Sequence, residues 1–210
     1  MTWICRCDLM KRKFAIIGHR AQSTGKLNLN DLAGSCGRID VLARAVNTGL
    51  FLSHGIRNNT DVTLHLQGGD GPIRRINFDG SKIRGLRPDE RAIAGQIGKV
   101  LNQPIPPIGL YPSISEGLWH SGGGINNTIN EWKNDNVRIF VLDANGIKFD
   151  PEIHQSNSVG FILSDDKPFN ENEIEYMEGL ERISLGDTWL QGHACISIIH
   201  HHIDSYLTAI

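Results

Sequence analysis

The chain has 210 residues, 40% of them hydrophobic and 21% charged, which fits one globular domain with an ordinary buried core. Its formal net charge of −2 excludes a polycation, so any nucleic-acid contact must rest on a local basic patch. No apolar run approaches the roughly 18 residues of a membrane span, and cysteines at 5, 7, 36 and 195 do not form a secreted disulfide framework, which favours a reducing, cytoplasmic setting.

The first nine residues lack the long apolar core of a signal peptide, and Met10-Lys11-Arg12-Lys13 resembles a second start. Residues 1–9 are therefore expected to be an upstream extension, and residues 10–210 a single domain. Phe14-Ala15-Ile16-Ile17-Gly18 is a short apolar strand closed by Gly. A polar loop covers 19–30. The small residues around Gly34, Ser35 and Gly37 then permit close backbone approach before a helix. Its apolar face is Ile39, Leu42, Ala43, Val46, Leu50 and Phe51, and it runs to about His54, with Arg38 and Asp40 in the first turn.

Residues 61–66 and 73–78 read as a hairpin about the Gly68-Gly69-Asp70-Gly71-Pro72 turn. Lys82, Arg84, Arg87 and Arg91 form a cationic cluster that suits phosphates or a solvated face equally. A helix is expected from about Pro88, favoured by Pro and acidic residues in its first turn, to the breaker-rich stretch 102–112. Residues 117–124, rich in Gly, suit a lid or substrate loop. A helix over 125–133 follows, then strands over 137–143 and 159–163, an acidic helix over 170–180 and a short strand over 182–185. Strands alternating with helices in this half predict an α/β fold with a mostly parallel sheet flanked by helices.

The closing segment carries the sharpest local pattern. Gly186-Asp187 is a turn, Thr188 and Gln191 have the spacing of a capping box, and Leu190, Ala194 and Ile198 start an apolar helix stripe. Strand, Gly turn and helix gather backbone N–H groups at one point, which suits an anion or a nucleoside edge; an ordinary strand-to-helix corner has the same pattern.

Three blocks resemble one family. Ser35-Cys36-Gly37-Arg38-Ile39-Asp40-Val41-Leu42-Ala43-Arg44 is similar to the Gly-Arg-(Ile/Leu)-Asp-(Val/Leu)-Leu segment of the archaeal tRNA pseudouridine N1-methyltransferases. Arg87-Pro88-Asp89-Glu90-Arg91 resembles their Ser-Pro-Asp-Glu-Arg segment. Arg182-Ile183-Ser184-Leu185 and Cys195-Ile196-Ser197-Ile198-Ile199-His200 resemble their closing strand and helix. The resemblance implies a SPOUT-class fold with a C-terminal deep trefoil knot, S-adenosyl-L-methionine (SAM) held by the knot loops, a homodimer, and methylation of N1 of a tRNA T-loop pseudouridine. A related methyltransferase with another RNA target, or a catalytically inactive RNA-binding protein of the same fold, stands as the alternative.

On that resemblance Leu142, Ser164, Leu185, Gly186, Thr188, Leu190 and Cys195 match the cofactor pocket, with Ser164 where the archaeal pattern has Gly. Arg38 is the candidate to stabilise the uracil anion or grip a phosphate, and Asp40 the candidate base or positioning group. Trp119-His120-Ser121 stands where the archaeal loop has paired arginines, which removes positive charge from an RNA-facing loop. Methyl transfer from a sulfonium needs no covalent enzyme intermediate, so Cys195 reads as a small apolar wall more than a nucleophile. The histidines at 193, 200, 201 and 202 lack a standard zinc spacing, and no metal is expected.

Overall fold

A computed structural model describes residues 10–152 and 156–209; the expectation for residues 1–9 lies outside them. The elements run β1 (Lys11–Gln22), α1 (Ile39–Leu50), β2 (Phe51–Leu52), β3 (Gly55–Ile56), β4 (Thr60–Gly68), β5 (Arg74–Asp79), α2 (Glu90–Leu101) and β6 (Ser113–Ser115). They continue β7 (Leu118–Gly122), α3 (Ile125–Asn134), β8 (Arg138–Lys148), β9 (Ser158–Ser164), α4 (Glu171–Tyr176), β10 (Glu181–Ser184) and α5 (Gly192–Ala209).

Eight strands form one sheet in the order β10-β8-β9-β1-β4-β5-β7-β6. The first five are parallel, and the last three add antiparallel to β4. The alternation along β1 shows why it sits centrally. Phe14 and Ile16 pack with residues of α1, α2 and α5 on one face, and Ala15 and Ile17 with Ile125, Ile129 and Trp132 of α3 on the other. A strand buried on both faces needs a continuous apolar run, and residues 14–17 supply it. Phe14 stacks on Phe161 at 5.4 Å between ring centroids, and Phe161 on Phe140 at 5.6 Å, so aromatic contacts link β1, β9 and β8.

Charged groups fasten α5 to the start of β1. The fully buried Arg12 reaches His200 Nδ1 at 2.9 Å and Asp204 Oδ1 at 2.6 Å, while Arg57 holds Asp204 Oδ2 at 2.7 Å. His200 Nε2 meets the Gly49 carbonyl at 3.1 Å. Burial, then the Arg57 and Arg12 charges, push this imidazole down to about 3, so it is neutral and its Nε2–H donates to Gly49.

Several expected boundaries move. The first helix stops at Leu50, and the following residues turn into the small β2–β3 hairpin. The second begins at Glu90, because the Asp89 side chain accepts from the Ala92 N–H at 2.7 Å as its N-cap. Residues 118–122 are not a lid: they pair with β5 and β6, and a Cβ on Gly122 would lie 2.7 Å from the Pro106 carbonyl oxygen. The acidic helix is only Glu171–Tyr176, with a reciprocal Asn170–Glu173 cap at its start and a left-handed Gly179, φ 77°, after it.

β8 does not end at Asp143. Val141 pairs with Arg182 and the next pair is Ile147 with Ile183, so residues 142–146 bulge out before pairing resumes. A Cβ on Gly146 would lie 2.6 Å from the Arg182 carbonyl carbon, so that position must be Gly. The Thr188–Gln191 capping box is not formed either. α5 starts at Gly192, Gln191 turns its side-chain oxygen towards Arg44 at 3.5 Å, and the first helical bond runs from Cys195 N–H to the Gln191 carbonyl.

Candidate active site

Functional groups gather at the C-terminal edge of the parallel strands, where open α/β sheets usually bind ligands. Gly37 prepares the approach. It is left-handed, φ 61°, and a Cβ there would fall 1.8 Å from the Arg20 carbonyl oxygen. The next residue, Arg38, is also left-handed at φ 68°, a conformation that costs a non-glycine residue roughly 1 kcal/mol or more. It stands at the N-cap of α1 without making a side-chain cap.

That side chain is turned to Asp40. Arg38 Nε donates to Asp40 Oδ1 at 2.9 Å and Nη2 to Oδ2 at 3.1 Å, a two-point clamp; Arg44, one turn on, also reaches Oδ2. Burial alone would raise the Asp40 carboxyl, but the Arg38 hydrogen bonds and the Arg38 and Arg44 charges outweigh it and hold the group below the ordinary carboxylate range. Arg38 Nη1 extends to Asp166 at 3.4 Å, and Arg20 pairs with the same carboxylate. Arg38 keeps about a third of its side chain exposed.

A second network, which no local sequence pattern announces, lies at His19. His19, directly after the Gly that ends the apolar run, has Nδ1 at 2.9 Å from Asp165 and Nε2 at 3.0 Å from Glu173. Its hydrogen bonds to Asp165 and then Glu173 raise it to about 9, against the opposing effect of burial. The imidazolium joins the C-terminal part of β1 to the loop after β9 and to α4. Gln67 adds a 2.8 Å hydrogen bond to Glu173. A polar residue just past each of two adjacent apolar runs, His19 after 14–18 and Asp165 after 159–164, was the available signal.

Of the residues matched to the cofactor pocket, Leu142 opens the bulge of β8, Ser164 ends β9, Leu185 and Gly186 follow β10, and Cys195 lies in α5. Val141 lies across from Ile162, which sets Leu142 and Ser164 near one level of the sheet edge. Leu142, Leu185 and Cys195 are each partly buried and pack on the same core. Ser164 ends β9, its hydroxyl donates to the Lys167 carbonyl, and its own carbonyl oxygen would be 3.6 Å from a Cβ on Gly192. This brings the start of α5, with Cys195 one turn in, over the end of β9. Burial raises the Cys195 thiol, which suits an apolar wall and not a nucleophile.

Gly186 has φ 123°, and its N–H donates to the Ser184 hydroxyl at 3.1 Å. Leu185 and Gly186 line a cavity of about 250 Å³ with Ala144, Phe149 and His202; Leu142, Ser164, Thr188, Leu190 and Cys195 do not. Thr188 and Leu190 are exposed on the connection to α5. The structure thus gathers Arg38 with Asp40, and Ser164 with the start of α5, and leaves Thr188 and Leu190 out on the rim. For SAM, the partly buried apolar residues Leu142, Leu185 and Cys195 and the glycine turn at Gly186 fit an adenosyl group.

Residues 11–207 match a protein family described as "Putative SAM-dependent RNA methyltransferase". The chain belongs to this family. Among individual relatives, it is 36% identical over 200 residues to the tRNA (pseudouridine(54)-N(1))-methyltransferase of Methanococcoides burtonii, covering 94% of this chain and 98% of that protein. It is 36% identical to the Haloferax volcanii protein of the same name, covering 92% and 96%. The fold matches the crystal structure of Archaeoglobus fulgidus Nep1 bound to S-adenosylhomocysteine with a TM-score of 0.68, over 96% of this chain and 100% of that one, at 11% identity.

Proposed function

We propose that this family member is a SAM-dependent methyltransferase that modifies N1 of a pseudouridine in tRNA, as its archaeal relatives are named for doing. The observation that carries the reading is the Arg38–Asp40–Arg44 array, which Arg38 links to Asp166 after β9 and Arg44 links to Gln191 before α5, next to the residues matched to the cofactor pocket. SAM supplies an electrophilic methyl group on a sulfonium. Leu142, Leu185 and Cys195 hold its apolar parts, and the backbone about Gly186 and Ser164 orients it.

The acceptor nitrogen must lose its proton, and negative charge then spreads onto the uracil oxygens. The exposed edge of Arg38 stabilises that charge. Asp40 serves as the positioning group: an anion clamped by two guanidiniums is a weak base, but it fixes the direction in which Arg38 points. Alignment of donor and acceptor supplies much of the remaining acceleration.

The eight-stranded sheet takes in strands from Lys11 to Ser184, which supports residues 10–210 as one domain. Contacts around 146–149 support a threaded C-terminus: Phe149 N–H donates to the Ser184 carbonyl at 2.9 Å, and its ring lies 6.1 Å from that of His202. Exposed Trp189, Leu190 and Ile147 on the rim support a homodimer that covers them. No helix among the described residues is long and apolar enough to cross a membrane, and a tRNA substrate supports a cytoplasmic enzyme. The deciding experiment incubates the protein with methyl-labelled SAM and tRNA, then digests the RNA for mass spectrometry. N1-methylpseudouridine is the expected product; an unlabelled tRNA pool refutes the reading.

A further inference from the structure

Consecutive residues of β1 grip consecutive aspartates. His19 takes Asp165, and Arg20 pairs with Asp166, on the turn that follows β9. The Asp165 side chain is only 1% exposed, and its carboxylate is fully engaged. Oδ1 meets the His19 ring at 2.9 Å and accepts from the Lys167 N–H at 3.0 Å, while Oδ2 accepts from the His19 N–H at 2.8 Å. The Asp165 N–H in turn donates to the Ile17 carbonyl at 2.9 Å, and the Ser164 hydroxyl closes the turn on the Lys167 carbonyl. Residues 164–167 are thus built around one side chain, and His19 ties that side chain to the central strand.

The other ring nitrogen of His19 faces Glu173 of α4, which also accepts from the Asn170 N–H at 2.9 Å. Carboxylates only accept, so a ring that bonds one at each nitrogen carries both protons. The geometry therefore makes His19 a cation wedged between two buried anions, and a neutral ring would release one of them. Donor side and acceptor side of the reaction meet at the same turn. Ser164, which opens it, is one of the residues matched to the cofactor pocket. Asp166, two residues on, receives Arg38 Nη1 at 3.4 Å. Asp40 already holds Arg38 Nε and Nη2, so carboxylates from two different elements fix the plane of one guanidinium. Of the two, Asp166 alone lies on the cofactor-side turn.

We propose that His19 is a positioning residue for methyl transfer: by pinning Asp165 it sets Asp166, and through it the Arg38 guanidinium, at a fixed offset from the cofactor-side turn. The inference rests on the enzymatic reading above and deepens it. His19 touches neither reactant and acts through Arg38. Its effect is one of alignment, which costs rate steeply when lost and leaves the affinity for either reactant nearly unchanged.

The test is a double-mutant cycle on the full chain, read by turnover of methyl-labelled SAM with tRNA. His19→Gln, which reaches one carboxylate but carries no charge, is expected to lower kcat about ten-fold, part of the loss that a misplacement of about 1 Å can bring, with both KM values within about two-fold. Beside Arg38→Ala the same substitution is expected to cost less than about two-fold, because the group it aims is gone. An unaltered kcat, a loss confined to KM, or a ten-fold loss that persists beside Arg38→Ala would each overturn the proposal; the last is the signature of a purely structural group. The Cζ signal of Arg38 in carbon-detected NMR, assigned by its absence in Arg38→Ala, reads the same coupling without turnover. It is expected to shift in His19→Gln, and in the parent to titrate with the midpoint of the His19 ring, about 9. If His19→Gln fails to fold, the parent's titration decides, and a Cζ signal that ignores the His19 midpoint overturns the proposal. A parent that methylates no tRNA refutes the enzymatic reading, and the Cζ signal then still tells whether the ring sets Arg38.

Discussion

The two halves of the sheet treat charge differently. In the parallel half, the strand interiors from β8 to β1 are mainly apolar, with Arg12 at the start of β1 the exception, and ionic groups crowd beyond the apolar runs: His19 and Arg20 in β1, Asp165 and Asp166 after β9. In the antiparallel half, charge enters the sheet itself. Adjacent Arg74 and Arg75 are both buried and serve opposite faces. Arg74 donates to the Val100 and Gln103 carbonyls at the end of α2, and Arg75 to the Gly122 carbonyl and Glu131. A buried guanidinium that answers helix-end carbonyls, as Arg74 does, is a fastener. Guanidiniums at the edge of a parallel sheet with part of their surface free are tools. The difference lies in what remains unpaired, not in how many charges each half carries.

The comparison breaks first, and most completely, at the 185–190 connection. Replacing it with a Gly/Ser linker is expected to abolish SAM binding in calorimetry while the melting temperature stays within a few degrees, because most of the segment is exposed. Unchanged affinity would move the cofactor elsewhere. Next comes Arg38→Ala, with turnover expected to fall about 100-fold, in the range for a lost charge-stabilising donor, and SAM affinity retained. If turnover is unaffected, Arg38 is a structural group like Arg74.

Arg74→Met probes the other side of the comparison. It should cost about 1–3 kcal/mol in urea unfolding, the penalty for stranding buried carbonyl acceptors, and leave kcat/KM within about two-fold of the parent, well under one order of magnitude. A large kinetic effect at constant stability would erase the distinction between the halves.

The smallest effect concerns pH. His19 is raised in the fold from 6.5 to about 9. Its stabilising contribution is therefore complete below pH 6.5 and lost as pH rises through about 9. Asp165 and Glu173 are lowered: burial works against this, and hydrogen bonds led by those from His19 overcome it. Their contributions are present above the unfolded carboxyl range and fade as acid is added. Between pH 6.5 and 9.5 the protein should lose about 1–2 kcal/mol through this group, after allowance for solvent screening at a partly open site. His19→Gln should flatten that slope in denaturant titrations at several pH values; an unaltered slope would remove His19 from the network.

Most of the framework was legible because the core elements repeat a simple period. Phe14 to Ile17 spell a strand buried on both faces, and Ile39, Leu42, Ala43 and Val46 spell a helix face. Legibility failed where Gly outweighed pattern. The glycines flanking Leu118-Trp119-His120-Ser121 suggested a loop, yet alternate residues face opposite sides of a paired strand. At residues 188–191 a local capping pattern lost to tertiary contacts, as Gln191 turned to Arg44. In the site, Arg38 and Asp40 are neighbours in sequence and were visible as a pair. His19 was not, because its carboxylate partners stand 146 and 154 residues away and no local spacing can announce them.

The bond between Arg12 and Asp204 spans 192 positions of the chain. During synthesis, β1 leaves the ribosome long before α5 exists, and its buried guanidinium must wait for the carboxylate and imidazole that complete it. The nascent protein can therefore collapse but not finish, and for that interval it presents a central strand with a cation whose counterion has yet to be translated. Chaperone contact with this half-made sheet would be expected to end when α5 emerges, which makes the timing of release a readout of that one long-range pair.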